Sequence, residues 1–197
     1  MTGGSDAQVW LDRGFAHQTR AWEELREAVA CNERALELDP FLEKAHYQFV
    51  VAHAALGQAL DAAAVYERRL ADAPDDMLAH RCLAQAYVAA GCWEDAARTI
   101  DAGLALASDD AFLLEQQGAL LEGTGRAEEA LVAWERALAA DETSISGHYS
   151  RAFLLERLGR LSAAASEWES ILACVRERGC DEEADWPERE LARLRGV

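Results

Sequence analysis

The stretch Leu121–Leu138, LEGTGRAEEALVAWERAL, decides the fold. Gly125 ends one helical segment, and Glu128, Glu129 and Ala130 open the next. Ala130, Trp134 and Leu138 then follow at steps of four, the spacing of a single helix face. The stretch recurs. Steps of 34 residues from Gly125 land on Gly91 and Gly57 in one direction and on Gly159 in the other. The same step links Ala62, Ala96, Ala130 and Ala164, then Tyr66, Ile100, Trp134 and Trp168, then Leu70, Leu104, Leu138 and Leu172. Registers that hold at one fixed period mark a repeat array, in which each unit is one supersecondary element stacked on its neighbours.

Composition fits an array of helices. Of 197 residues, 51% are hydrophobic and many of these are alanine, which favours helix and lets helices approach closely. Three prolines are present and none interrupts a helical pattern. The net charge of −17 excludes the basic stripe that nucleic acid requires and disfavours an anionic membrane surface. It reads as a solvated helical surface, or as a preference for a basic partner. No apolar run approaches the ~20 residues that cross a bilayer. The opening MTGGSDAQ has neither a basic segment nor an apolar core of the secretory kind. Cys31, Cys82, Cys92, Cys174 and Cys180 form no paired framework and no CxxC, so they read as small hydrophobes in a reducing, cytoplasmic compartment.

In chain order, residues 1–5 read as disordered, and Ser5 with Gln8 reads as a capping box opening a first helix that carries Val9, Trp10, Phe15 and His17. A second helix, with Leu25, Ala28, Ala35 and Leu38 inward, stops at Asp39-Pro40. This first repeat, residues 9–42, has no glycine in its turn. Repeats follow at 43–76, 77–110, 111–144 and 145–178, with Asp75-Asp76, Ser108-Asp109-Asp110 and Thr143-Ser144 as caps between them. Gly179 ends the fifth. Residues 6–180 thus form one array, and 181–197 an acidic loop and a final helix. That helix carries Pro187 in its first turn, Leu191 and Leu194 against the fifth repeat, and Arg193 and Arg195 at its negative end.

The layout resembles the tetratricopeptide repeat, a 34-residue helix–turn–helix. The third repeat carries the signature as Leu83-Ala84-x-x-Tyr87, then Ala96 and Ile100; the fourth supplies Gly118, Ala130 and Trp134. Ala84, Gly118 and Ala152 fill the close-approach position, where Val50 departs from the pattern. Pro40 and Pro74 match the closing proline, which Ser108, Glu142 and Arg176 replace later. No tryptophan opens a repeat; His46, His80, Leu114 and His148 stand there. The resemblance covers residues 9–178. The 35-residue RNA-binding repeat fits worse in period and in charge. The resemblance implies an all-α fold, a right-handed α-solenoid of helix–turn–helix repeats with about 11 helices, whose first helices line a concave groove.

The sequence offers no chemistry of its own. His46, His80 and His148 occupy equivalent sites in different repeats, two helix packings of ~8–10 Å apart in neighbouring ones. They cannot share an ion that needs ligands at ~2.0–2.1 Å, and hydrogen bonding within the helix pair is the expected role. No GxSxG, phosphate loop or glycine-rich dinucleotide turn is present; the 34-residue register already explains Gly125 in the fragment Gly123-Thr124-Gly125-Arg126. No catalytic residue, cofactor or metal is expected.

The groove is the informative surface. Its columns read Tyr47, Arg81, Glu115, Tyr149 and Val51, Gln85, Ala119, Phe153, flanked by Lys44, Leu78, Phe112, Ser146 and Gln48, Cys82, Gln116, Ser150. Aromatic and apolar residues stand where solvation alone would favour Lys and Glu, as on a partner-binding surface. Tyr47, Gln48, Val51, Leu78, Arg81, Gln85, Phe112, Glu115, Tyr149 and Phe153 are the candidate contacts. The expected partner is a protein or peptide of basic or amphipathic character. Capture of a C-terminal carboxylate, as in chaperone-binding relatives, is set aside, because the sole asparagine, Asn32, lies on a second helix. The alternative is a self-associating scaffold, a homo-oligomer, or a regulatory subunit of a larger complex.

Overall fold

A computed structural model describes residues 3–180 and 183–196; the side chains of residues 3–12 and 14–16 are not part of that description. All regular structure among the described residues is helical: α1 (Gly3–Leu38), α2 (Glu43–Ala55), α3 (Ala59–Asp72), α4 (Met77–Ala90), α5 (Trp93–Leu106), α6 (Ala111–Gly123), α7 (Ala127–Ala140), α8 (Ile145–Arg157), α9 (Leu161–Glu177) and α10 (Asp185–Arg195). From α2 to α9 these are helix–turn–helix pairs at the expected period.

Each pair turns in the same way. Gly57, Gly91, Gly125 and Gly159 have φ of 72°, 70°, 78° and 72°, a left-handed conformation that other residues resist. The amide after each glycine reaches back to the carbonyl five residues earlier, at 2.8 Å for Gln58, Arg126 and Arg160 and 2.9 Å for Cys92. Helix starts are capped as their sequences ask. Asp76 accepts from the Ala79 amide at 3.0 Å, Asp110 from Leu113 at 3.0 Å, and Ser144 from Gly147 at 3.1 Å.

The first repeat corrects the expectation. Two helices are expected there, but α1 is one unbroken helix of 36 residues; the ten helices described are close to the expected 11 or so. One 34-residue step before Gly57 stands Glu23, inside Ala21-Trp22-Glu23-Glu24-Leu25-Arg26. A left-handed glutamate costs about 1–2 kcal/mol, and its neighbours are mostly good helix formers, so continuing the helix is cheaper than turning it. Gly3, Gly4 and Ser5 are helical backbone, and the expected cap at Ser5 falls inside α1. Met1 and Thr2 lie outside the described residues, as do Asp181 and Glu182 of the acidic loop.

The chain divides into two compact units, Met1–Cys92 and Trp93–Val197. In the first, Phe49, Val50, Ala62, Tyr66, Leu78, Cys82 and Leu83 form the core between α2, α3 and α4, with Leu36 of α1 packed against it. Burial pushes the Cys82 thiol up to about 12, as for an inert hydrophobe. In the second, α8, α9 and α10 share a core of Ala152, Trp168, Ile171, Leu172, Val175, Ala184 and Leu191. The packing of α6 on α7 depends on a missing side chain. A Cβ built on Gly118 would stand 2.5 Å from the Trp134 ring, and Trp134 is buried. Gly118→Ala should therefore destabilise the second unit by about 1–3 kcal/mol, read as a lower urea midpoint at unchanged slope. An unchanged midpoint would show that the pair can spread at no cost.

Candidate functional site

The candidate contacts lie on the first helices of the pairs, and each unit is described by itself. In the first unit they sit on α2 and α4. Tyr47 is half-buried, packed at the edge of the core, and its hydroxyl accepts from Arg81 Nη1 at 3.4 Å across the two helices. Burial raises the Tyr47 hydroxyl above its ordinary value, partly opposed by Arg81. Gln48 is exposed, and Val51 is 46% exposed one turn along from Tyr47. Gln85, one turn along from Arg81, has a buried Oε1 with no hydrogen-bond partner. Leu78 is a correction: at 9% exposure it belongs to the core, because its position on α4 faces the pair behind it rather than solvent.

In the second unit the contacts sit on α6 and α8. Phe112 is partly buried. Glu115 is held at the start of α8, where Ser144 Oγ donates to its carboxylate and Ser146 Oγ donates at 3.1 Å. Burial pushes the Glu115 carboxyl above its ordinary value, and the two serine hydroxyls oppose that shift. Glu115 thus ties α6 to α8 instead of standing free. Tyr149 and Phe153 face another helix of their own chain. Trp186 of α10 stacks on Tyr149 with centroids 5.1 Å apart at 26°, and lies over Phe153 at 5.9 Å and 32°. The buried Trp168 meets all three rings edge-on, at 5.5, 5.5 and 5.4 Å. Phe153 stays 41% exposed and Trp186 42%.

Two features escape a reading of the repeats alone. Trp186 belongs to no repeat register; its signal is a tryptophan before Pro187 in an otherwise charged helix. The second is a groove of about 620 Å³ lined by Leu36, Pro40, Phe49, Val65 and Tyr66.

The histidines hold loops in place. His46, His80 and His148 each donate from Nε2 to the carbonyl six residues earlier, on Pro40 (3.0 Å), Pro74 (2.9 Å) and Glu142 (3.1 Å). At the fifth repeat the second ring nitrogen is also used: His148 Nδ1 lies 2.7 Å from Glu167 Oε2, and Arg151 binds the other oxygen of Glu167. A backbone carbonyl and a carboxylate beside the two ring nitrogens favour the protonated ring, and the His148 pKa is raised above its ordinary value chiefly by the Glu167 hydrogen bond. Among the described residues no group of three His, Cys, Asp or Glu side chains could hold a metal ion, and no helix is long and apolar enough to cross a membrane.

No family model matches the sequence, and no curated protein matches it. Solved structures match its fold. A thermophilic TPR protein from Thermus thermophilus superposes with a TM-score of 0.69 at 21% identity, over 93% of this chain and 96% of that one. MamA superposes with a TM-score of 0.57 at 16% identity, over 82% and 95%. MamA from Desulfovibrio magneticus superposes at 0.56 and 20% identity, over 85% and 94%. The array of helix pairs is the tetratricopeptide-repeat fold.

The His148–Glu167 pair makes the second unit sensitive to pH. The folded pKa of His148 lies above its ordinary 6.5, so the pair stabilises fully below that value and its contribution fades as pH rises through the folded pKa. The urea midpoint should fall from about pH 6 to about pH 9. His148→Leu, which copies Leu114 at the equivalent place, should be less stable at low pH and lack that slope; equal slopes in the two proteins would contradict the assignment.

Proposed function

We propose that the chain is a non-catalytic protein-binding module that holds a peptide or helix of a partner on the face made by the first helices of its pairs. In tetratricopeptide repeats the first helices line the concave side, which supports this choice of face. One observation carries the reading: in each unit an aromatic ring and a second apolar side chain stand one turn apart on this face, Tyr47 with Val51 and Tyr149 with Phe153. Val51 and Phe153 remain more than two-fifths exposed. A helix face serving solvation alone has no use for such pairs, whereas an amphipathic helix or extended apolar segment does. Gln48, Arg81 and Gln85 frame the first pair, Phe112 and Glu115 lie on the same face of the second unit, and the charge of −17 favours a basic partner. The tetratricopeptide-repeat fold supports this reading.

A second reading, self-association, is favoured by α1. Residues 17–24 of this helix are exposed, Trp22 among them at 49%. A second copy would satisfy such an arm.

Both readings are open to measurement. Val51→Lys and Phe153→Lys should each weaken capture of the native partner by roughly tenfold or more, as loss of a central apolar contact does. Val132→Lys, at an exposed position of the second helix α7, should leave capture unchanged. Equal capture by all three variants would remove this face from consideration. Light scattering over a range of concentrations tests the second reading: a dimer that becomes monomeric when residues 1–20 are removed supports it, and a monomer at every concentration ends it.

A further inference from the structure

We infer that Trp186, Phe153 and Tyr149, together with Glu183 and Asp185, form a receiving site for a lysine or arginine side chain of the bound partner. The inference rests on the partner-binding reading of the first-helix face and adds to it a chemical identity for one contact.

Helix α10 has anchors besides Trp186: Ala184 and Leu191 lie in the core shared with α9 and Pro187 is buried, while Trp186 keeps 42% of its surface in solvent. Its ring lies nearly parallel to Tyr149 and Phe153, at 5.1 Å and 5.9 Å, and the buried Trp168 stands perpendicular to it at 5.4 Å and 78°. These rings cover part of Trp186, and 42% of the side chain remains exposed. The π-face of an indole carries negative potential and attracts a cation within about 6 Å of its centroid.

The charges around it have the sign that such a ligand needs. Glu183 and Asp185 precede Trp186 in the chain, are exposed, and make no ion pair among the described residues. The Glu183 carboxylate is near enough to Tyr149 for its charge to act on the hydroxyl. The surrounding arginines are engaged elsewhere: Arg176 with Glu188, Arg193 with Glu156 and Glu190, Arg195 with Glu169, Arg151 with Glu167. Arg189 is turned back along its own helix, with Nε donating to the Asp185 carbonyl at 3.2 Å. Aromatic faces beside unpaired carboxylates are complementary to a cation supplied from outside, and a carboxylate would be repelled. A merely apolar residue would gain the stacking area but nothing from Glu183 and Asp185.

The probe is a 16-residue amphipathic helical peptide with arginine along one edge of its apolar face, beside matched peptides carrying norleucine or glutamate at those positions. Calorimetry at about 0.15 M salt keeps screening at the physiological level. The expected result is that the arginine peptide binds about tenfold tighter than the norleucine peptide, with the glutamate peptide weakest. Trp186→Leu keeps an apolar cover over Tyr149 and Phe153 but removes the π-face, and its unfolding midpoint shows whether α10 remains docked. It should abolish the preference for arginine, and Glu183→Gln with Asp185→Asn should reduce it. Equal binding of the arginine and norleucine peptides, survival of the preference in Trp186→Leu, or no binding of the arginine peptide would each overturn the assignment. If all three peptides bind equally and Phe153→Lys abolishes that binding, the partner-binding reading stands while this inference falls.

Discussion

The fold depends on how closely two antiparallel helices can approach and how sharply the chain can turn between them. Four glycines in a left-handed conformation make the turn, and small residues make the approach. At Gly118 the Trp134 ring occupies the space a methyl group would fill, so the pair α6 and α7 closes on the absence of a side chain. Where the turn residue is wrong the pair does not form. Glu23 stands in the glycine register, and α1 runs straight through. One position thus separates a helical hairpin from a single helix of 36 residues.

Polar groups inside the array are placed with the same regularity. A histidine near the start of a first helix ties down the loop before it through the carbonyl six residues back, in three repeats. The fourth repeat has Leu114 there and does without the bond. The fifth extends it into a charged cluster, with Glu167 bridging His148 and Arg151. Buried charge is tolerable when each oxygen and each ring nitrogen has a partner, and the cluster meets that condition at the Glu167 carboxylate. The repeats are alike in backbone and differ in their polar interiors.

The end of the chain changes what the repeats offer. A cap is expected to hide the apolar edge of the last pair and face water elsewhere. Helix α10 does this with Leu191 and with Ala184 just before its start, and it also carries Trp186 onto the rings of α8. The aromatic surface in the second unit is therefore assembled from a repeat and a segment outside the repeats. In the first unit the corresponding position has only Tyr47 beside Arg81. The first helices of the two units follow the same register but differ in the chemistry that they display.

The sequence by itself determined the period, the all-α class, the turn glycines and the capping stretches Asp75-Asp76, Ser108-Asp109-Asp110 and Thr143-Ser144, because these depend on neighbours within a few residues; the structure selects Asp76, Asp110 and Ser144 within them. It also signalled trouble in the first repeat, where the turn lacked a glycine, but not its outcome, since that required weighing a strained turn against a longer helix. Only the tertiary structure decided which candidate side chains are free. Leu78 and Gln85 sit on one helix, yet one is core and the other is partly exposed with a buried amide oxygen. Glu115 is held by two serines some thirty positions later, and Tyr149 and Phe153 are half covered by a tryptophan from outside the array. Such contacts join residues far apart in the chain, and a 34-residue register carries no information about a helix that does not repeat.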